Sequence, residues 1–293
     1  MKEIKLHPEC IECLIKKHIN AYPENATEME RVIYIKKIMD LIAKASFDTS
    51  APELVEEIND VKEVLFGIRD DYTEVKKYFN KLMLKEEANL SEEIKKAENP
   101  LKKAFLFSMA ANYIDFGALY KVDEEKLKSS FYDMTDDGAF DEEFINLTKD
   151  IKKAKKLTYI HDNCGEIVAD KLFIKEIKKF NPDVEIVSMV RGKAVLNDVT
   201  LEDAKEVSLT DIVNVIPNGT GVPGTSIKRV PEEVRKVLEN SDVIISKGQG
   251  NFETLMHSDL NIYFIFMCKC PLFAKRFSSE MLKGMFLNDM RMK

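Results

Sequence analysis

Five short, mostly apolar runs after residue 155 place the strongest constraint on how this chain folds. They are Leu157–Ile160, Val184–Val190, Asp211–Ile216, Asp242–Ser246 and Ile262–Met267. Most of them are separated by stretches with helical periodicity, such as Val168–Lys179 and Pro231–Glu239. Apolar strands that alternate with helices are typical of a parallel sheet covered by helices on both faces. We therefore predict an α/β domain over residues 151–293.

The first half of the chain has helical periodicity throughout. Apolar residues recur at three-and-four spacing in Val32–Lys44, in a segment that begins at Pro52, and in Asp70–Glu87. A fourth segment, Leu101–Tyr120, is apolar at most positions, which is typical of a buried helix. We therefore predict an all-helical domain over residues 1–150.

The charge balance limits the partners of the protein. The 293 residues carry a net charge of −7, and an acidic protein lacks the basic face that nucleic-acid phosphates require. No run of about 18 apolar residues is present, and the N-terminus lacks the apolar core of a signal peptide. We expect a cytoplasmic protein with no nucleic-acid or membrane partner. The sequence does not determine its oligomeric state.

Polar residues and glycines follow every predicted strand. Asp162, Asn163 and Glu166 follow the first strand, and the other four strands lead into residues 191–198, 217–225, 247–253 and 268–270. Ligands of open α/β sheets bind beyond the carboxyl ends of the strands. Asp162 or Asn163 alone could simply cap the helix that follows, but five polar ends together predict a shared site.

The residue types at these ends suit a divalent cation and an anionic substrate. Asp162, Asn163 and Asp198 offer the oxygen ligands that Mg²⁺ and Mn²⁺ prefer. Phosphate oxygens could be neutralised by cationic side chains and approached by the N–H groups of the glycine-rich loops. The cations at these ends are Arg191, Lys247 and Lys269. This combination favours the hydrolysis of phosphate esters.

Two further features have competing interpretations. Gly219, Gly221 and Gly224 match the spacing of a dinucleotide-binding loop, but the next helix is predicted only near Pro231, too far away to receive a phosphate. In the apolar segment before residue 120, two polar residues lie three apart and need partners. These residues, Asn112 and Asp115, could line the site or join the helices to the sheet.

Several motifs together resemble the damage-control phosphatase family. They are DNCGE, RGKAVLNDVT, ANYIDFG, GTGVPGT and KGQGNFETL, and with the N-terminal CxxC they look closest to the stand-alone archaeal branch of the family. The resemblance implies a helical domain packed on a three-layer α/β/α domain with a mostly parallel sheet. It also implies a metal-dependent phosphatase of small phosphorylated metabolites that uses Mn²⁺, Mg²⁺, Co²⁺ or Ni²⁺.

The resemblance also assigns roles to individual residues. It implies metal ligation by Asp162, Asn163 and Asp198, the first and last of which are also catalytic candidates together with Lys247. The candidates for substrate binding are Glu166, Arg191, Gln249, Gly250, Asn251, Glu253, Lys269, Asn112 and Asp115. The branch that acts on sugar phosphates has an Arg-Thr-x-Lys motif near the last lysine. Here the text is Cys-Lys-Cys-Pro at 268–271, so that specificity cannot be carried over.

The sequence leaves open the identity of the nucleophile and one alternative function. The nucleophile could be a metal-bound water or the carboxylate of Asp162 or Asp198. Water is favoured because the charge of a metal-ligating carboxylate is already committed. An S-adenosylmethionine-dependent methyltransferase is an alternative function, but such folds usually bind the cofactor on a glycine-rich turn after the first strand, where only Gly165 stands here.

The cysteines define a second alternative, a metal-binding or redox module. Cys10 and Cys13 form a CxxC pair, and Cys268 and Cys270 form a CxC pair. Four thiols suffice for one structural Zn²⁺ if the two ends of the chain meet. A redox-sensitive disulfide and plain buried thiols are the competing interpretations, and any of the three could coexist with a phosphatase site.

Overall fold

The fold is known from a computed structural model, which describes residues 5–114 and 138–292 together with residues 125, 129 and 131. Its centre is a six-stranded sheet in the order β3-β2-β1-β4-β5-β6. The strands are Lys156–Ile160 (β1), Glu185–Val190 (β2), Asn214–Pro217 (β3), Val243–Lys247 (β4), Ile262–Met267 (β5) and Gly284–Asn288 (β6). All neighbouring pairs are parallel except β5 and β6. The predicted α/β fold with a mostly parallel sheet is confirmed.

The strands differ from the sequence prediction in two places. The third strand begins at Asn214 and not at Asp211, because residues 209–213 form a turn in which Val213 N donates to Leu209 O at 3.2 Å. The antiparallel strand β6 was not predicted. Its run of apolar residues is short and lies outside the strand–helix alternation that identified the others.

The strand order reverses between β1 and β4. Chain connections lead outward from β1 through β2 to β3 on one side, and from β4 to β5 on the other. Loops that leave neighbouring strands in opposite directions open a crevice between them, and such a crevice is the usual ligand site of a doubly wound sheet. The loops that begin at His161 and Gly248 flank this crevice.

Helices precede the sheet and then cover it. Before β1 lie Pro8–His18 (α1), Glu28–Lys44 (α2), Ala51–Phe66 (α3), Thr73–Lys96 (α4), Pro100–Ala111 (α5) and Asp141–Lys153 (α6). After β1 lie Glu166–Phe180 (α7), Leu201–Glu206 (α8), Glu232–Glu239 (α9), Gln249–Leu255 (α10) and Pro271–Arg276 (α11), and a short 3₁₀ turn, Asp289–Arg291, follows β6. No helix in the described ranges is long and apolar enough to cross a membrane.

Helix α5 belongs to the same core as the sheet. The ring of Phe105 lies 4.6 Å from Phe286 of β6, 5.2 Å from Phe144 of α6 and 6.0 Å from Phe173 of α7, measured between centroids. The helix is apolar around most of its circumference, as expected of a buried helix. Because α5 is buried in this core, its C-terminal end and the adjacent Asn112 lie at the carboxyl edge of the sheet.

Helices α1 to α3 form a smaller core of their own. It includes Leu14, Tyr34, Ile38, Leu54 and Ile58, all nearly inaccessible to solvent. This smaller core meets the sheet half of the chain partly through polar contacts at the start of α3. Helix α5 packs with the sheet and not with this smaller core. The domain boundary near residue 150 stays a prediction.

Candidate active site

The loops after β1 and β2 are joined to each other by backbone hydrogen bonds. Val199 N donates to Asp162 O at 2.8 Å, and Asn163 and Asp198 form an isolated antiparallel bridge. This pairing brings together the three predicted metal ligands, Asp162, Asn163 and Asp198. Their side chains are 6%, 2% and 3% exposed, so the polar groups lie in a site that largely excludes water.

Arg191 lies between the two carboxylates. Its Nε donates to Asp198 Oδ2 at 2.6 Å, and its Nη2 donates to Asp162 Oδ1 at 3.4 Å. The third nitrogen, Nη1, donates to Asn251 Oδ1 at 3.2 Å. Arg191 is only 1% exposed. The sequence predicts contact with substrate phosphate, whereas in this arrangement the guanidinium holds two acidic side chains at a fixed separation.

The amide nitrogen of Asn163 donates hydrogen bonds to two carboxylates. Its Nδ2 donates to Asp162 Oδ2 at 2.6 Å and to Glu166 Oε2 at 3.0 Å. Its Oδ1 accepts no hydrogen bond from any residue that the structure describes. The two N–H bonds thus fix the amide plane and leave its oxygen, a suitable ligand for a hard cation, directed elsewhere.

Asn112 connects the helical half to the site. Its Nδ2 donates to Asp162 Oδ2 at 3.1 Å and to Glu166 Oε2 at 2.9 Å, while its Oδ1 accepts from Met267 N at 2.9 Å. Asn112 therefore lines the site and also joins a helix to the sheet, the two roles between which the sequence left a choice. Asp115, its predicted companion, lies outside the described residues.

Lys247 is wholly buried and uses all of its hydrogen-bonding capacity within the protein. Its Nζ donates to Ser108 O at 2.9 Å, to Asp170 Oδ1 at 3.0 Å and to Glu166 Oε1 in a short contact. An ammonium group has three hydrogens. To bind a substrate phosphate as the sequence predicts, Lys247 would have to give up one of these partners.

Two close backbone approaches explain the glycines of the KGQGN segment. A Cβ at Gly248 would lie 2.0 Å from Asp162 Oδ2, and the φ angle of this residue is +83°. A Cβ at Gly250 would lie 2.1 Å from Pro223 O, so this position accepts no side chain either. The carboxylate of Asp162 therefore rests directly on the backbone that leaves β4.

The remaining candidates for substrate binding surround the start of α10. Gln249 accepts from Lys269 N at 3.1 Å and donates to Glu253 Oε1 at 2.9 Å. Asn251 donates to Lys247 O at 2.7 Å and to His161 O at 3.2 Å, so its amide fastens the loops after β1 and β4 to each other. Gln249 and Glu253 are partly exposed, and Lys269 is 5% exposed.

Two residues at the site were missed by the sequence analysis. Asn80 of α4 is completely buried, and its Oδ1 accepts from Gly165 N at 2.7 Å. Asp170 of α7 is completely buried one turn after Glu166. Each is followed by a lysine in the sequence, but the buried face of its helix is otherwise mostly apolar. A polar residue on such a face is the signal that could have identified them.

The cysteines are all unpaired with one another. Cys268 is buried in the core, Cys270 and Cys10 are partly buried, and Cys13 is exposed. Burial, with a smaller effect from the nearby Glu253 carboxylate, raises the pKa of Cys10 to about 12. Within the described ranges no three His, Cys, Asp or Glu side chains are grouped to hold a metal. The Zn²⁺ and disulfide hypotheses stay predictions.

An acidic crevice at the switch point of a mostly parallel sheet, approached by helices, defines an α/β protein with a small-ligand site. The family described as the damage-control phosphatase ARMT1-like domain matches residues 6–282. The chain therefore belongs to this family, as its motifs predict.

Individual relatives agree with this assignment. The chain is 33% identical over 292 residues to an uncharacterised protein of Methanocaldococcus jannaschii, and the match covers 94% of this chain and 92% of the relative. It is 32% identical over 216 residues to a damage-control phosphatase of Archaeoglobus fulgidus, with 72% and 73% of the two chains covered. A crystal structure of a DUF89 family protein from Pyrococcus horikoshii superposes with a TM-score of 0.76 at 26% identity, over 97% of this chain and 98% of that one.

Proposed function

We propose that this protein is a metal-dependent phosphatase that hydrolyses phosphate monoesters of small metabolites. One observation carries the metal dependence. Two basic side chains, Arg191 and Lys247, are buried with four carboxylates, those of Asp162, Asp198, Glu166 and Asp170. Carboxylate oxygens gathered in a site that largely excludes water are the ligands that a hard divalent cation prefers.

The residues present fit such a cation. Asp162, Asn163 and Asp198 are the proposed ligands, because they converge through paired loops and the Asn163 oxygen is free of described hydrogen bonds. Mn²⁺, Mg²⁺, Co²⁺ and Ni²⁺ all accept oxygen ligands of this type. A divalent ion, when bound, polarises a phosphoryl oxygen and lowers the pKa of a water molecule.

Water is the proposed nucleophile, because both aspartates are already engaged. Asp198 Oδ2 accepts from Arg191 at 2.6 Å, and Asp162 accepts from Arg191, Asn112 and Asn163. These bonds hold the carboxylates as ligands and leave them poorly placed to attack phosphorus. Lys269, at the carboxyl end of β5 beside Gln249, is the proposed phosphate ligand, and Glu253 is proposed to contact the rest of the substrate.

The Asp162→Ala variant tests the site. It removes one proposed metal ligand, so we expect turnover of p-nitrophenyl phosphate and of a panel of phosphorylated metabolites to fall by at least about a hundred-fold in Mn²⁺, Co²⁺, Ni²⁺ or Mg²⁺. Asp242→Ala is the matched control. Asp242 lies at the opposite end of the sheet and accepts from Lys155 N and Lys156 N, so its loss leaves the site intact.

Two results would contradict the proposal. One is wild-type protein that hydrolyses no phosphate ester with any of these metals. The other is Asp162→Ala protein that retains full metal-dependent turnover. Calorimetry with S-adenosylmethionine in parallel tests the methyltransferase alternative, for which binding of that cofactor without phosphatase activity is the diagnostic result.

A further inference from the structure

Asp170 occupies the centre of a buried polar cluster behind the proposed metal ligands. Its Oδ1 accepts from Ser108 Oγ at 2.7 Å, from Tyr159 Oη at 2.8 Å and from Lys247 Nζ at 3.0 Å. Its Oδ2 is 3.1 Å from His161 Nδ1. All five residues are at most 1% exposed. The carboxylate therefore has a donor in four directions and no access to solvent.

The surrounding donors keep this carboxylate charged. Burial by itself favours the neutral acid, but the positive charge of Lys247 and the hydrogen bond from His161 outweigh it and lower the pKa of Asp170. The same pairing, with a contribution from Glu166, outweighs the effect of burial on Lys247 and raises the pKa of its ammonium group. Asp170 and Lys247 thus form an ion pair inside the protein.

A continuous chain of contacts leads from Asp170 to the proposed metal ligands. Lys247 bridges Asp170 and Glu166. The other oxygen of Glu166 accepts from Asn163 Nδ2 at 3.0 Å and from Asn112 Nδ2 at 2.9 Å. The orientation of the Asn163 amide, and so the direction of its oxygen, depends on a Glu166 carboxylate that Lys247 holds in place.

We propose that Asp170 is a positioning residue for the metal site, an inference that rests on the function proposed above. It fixes Lys247 midway between two carboxylates, and Lys247 in turn fixes Glu166 and the Asn163 amide. Without the charge of Asp170, the ammonium group is drawn towards Glu166 alone and the Asn163 amide loses its fixed orientation. One negative charge near the bound cation is lost as well.

A purely structural role does not account for this arrangement. Buried ion pairs contribute little net stability relative to apolar residues of the same volume, because both charges are desolvated. Removing a group that hydrogen-bonds directly to a metal ligand, in contrast, typically changes metal affinity about 10- to 100-fold. Asp170 lies two contacts further back, through Lys247 and Glu166, so an effect at the lower end of that range is expected from it.

The test compares Mn²⁺ binding by Asp170→Asn and wild-type protein, measured by calorimetry without substrate. Asn has nearly the shape of Asp but lacks its charge, so we expect about tenfold weaker binding, the lower end of the range for a direct partner of a metal ligand. Asp289→Asn is the matched control. Asp289 is also a buried carboxylate, accepting from His257 N and Ser258 N, and its variant should bind Mn²⁺ like the wild type. Excess Mn²⁺ should restore most turnover of the Asp170→Asn protein, which a structural defect would not allow.

Each outcome decides between the two proposals. Wild-type protein that binds none of Mn²⁺, Mg²⁺, Co²⁺ and Ni²⁺ would overturn the proposed function, and the role of Asp170 with it. Wild-type and Asp170→Asn proteins that bind Mn²⁺ equally would overturn only the role of Asp170. If Asp170→Asn does not fold, Asp170→Glu decides, because it keeps the charge but moves the carboxylate relative to Lys247. Severalfold weaker Mn²⁺ binding supports the proposal, and unchanged binding refutes it.

Discussion

At the scale of single residues, the candidate site is defined by the arrangement of its buried charges. Asp162, Asn163 and Asp198 lie together, as their positions after neighbouring strands suggested. The sequence could not show that Arg191 lies between the two aspartates, or that Lys247 is enclosed by carboxylates. Side-chain direction depends on the packing of several loops at once, and no spacing along the chain encodes it.

Gly248 provides a sharp test at this scale. In Gly248→Ala, the new Cβ would meet Asp162 Oδ2 at 2.0 Å, and the φ of +83° disfavours any side chain. We expect at least about a hundred-fold loss of phosphatase turnover, because a misplacement of about 1 Å can cost that much.

The control for this substitution is Gly67→Ala. Gly67 also has a positive φ, of +67°, but a Cβ there meets nothing within 4 Å. This variant should lose about 1 kcal/mol of stability and keep its turnover. Equal turnover by the two variants would show that the contact between Gly248 and Asp162 is unimportant.

At the scale of elements, local sequence patterns predicted the existence of helices and strands better than the residues at which they begin and end. Helix α2 begins at Glu28, four residues before the predicted start, because Thr27 and Glu30 form a capping box that apolar periodicity does not detect. The position of α4 was predicted, but its contact with the loop after β1 was not. Helix-to-loop contacts of this kind depend on tertiary packing and leave only an isolated buried polar residue as a signal.

Asn80 is the residue through which α4 acts on that loop. In Asn80→Leu, Gly165 N loses its acceptor while it stays buried, which costs about 1–3 kcal/mol of unfolding free energy. Because Gly165 leads into Glu166, we also expect weaker Mn²⁺ binding in calorimetry.

Asn89→Leu, on the exposed side of the same helix, is the control. Among the residues that the structure describes, the side chain of Asn89 hydrogen-bonds only to Glu86, at 3.2 Å, so both stability and Mn²⁺ binding should stay near wild-type values. Mn²⁺ binding by Asn80→Leu that matches this control would mean that α4 supports the fold and not the site.

At the scale of the whole molecule, the described residues form three apolar cores. The largest joins α4 to α7 with the sheet, a second packs α9, α10 and α11 against the sheet, and the smaller core described above belongs to α1–α3. The smaller core contains a buried histidine, His18, whose Nε2 has no hydrogen-bond partner among the described residues. A buried ring without a partner is stable only when it is neutral.

Acid should therefore weaken the molecule through His18. Burial, with smaller contributions from the positive charges of Lys17 and Lys62 and against the effect of Asp70, lowers the pKa of His18 from its ordinary 6.5 to about 4. Between these two pH values the unfolded chain binds a proton that the folded chain does not. Stability is thus full above pH 6.5 and falls as the pH decreases towards 4, by about 3 kcal/mol.

The His18→Leu variant isolates this contribution. Its unfolding free energy, measured by urea denaturation at pH 7.5 and at pH 4, should decrease by about 3 kcal/mol less than that of the wild type. All other titrating groups are shared by the two proteins and cancel in the comparison. Identical pH dependence in both proteins would show that His18 is protonated in the fold.

The contacts that cross from the early helices to the sheet have a consequence for chimeras. Asn80 Oδ1 accepts a hydrogen bond from the backbone N–H of Gly165, and Asn112 Oδ1 accepts one from the backbone N–H of Met267. A hybrid that joins the first half of one relative to the second half of another would have to keep both asparagines, whereas any residue with a backbone N–H could serve as the donor. Recombination at residue 150 would also divide the core that α4, α5 and α6 share with the sheet.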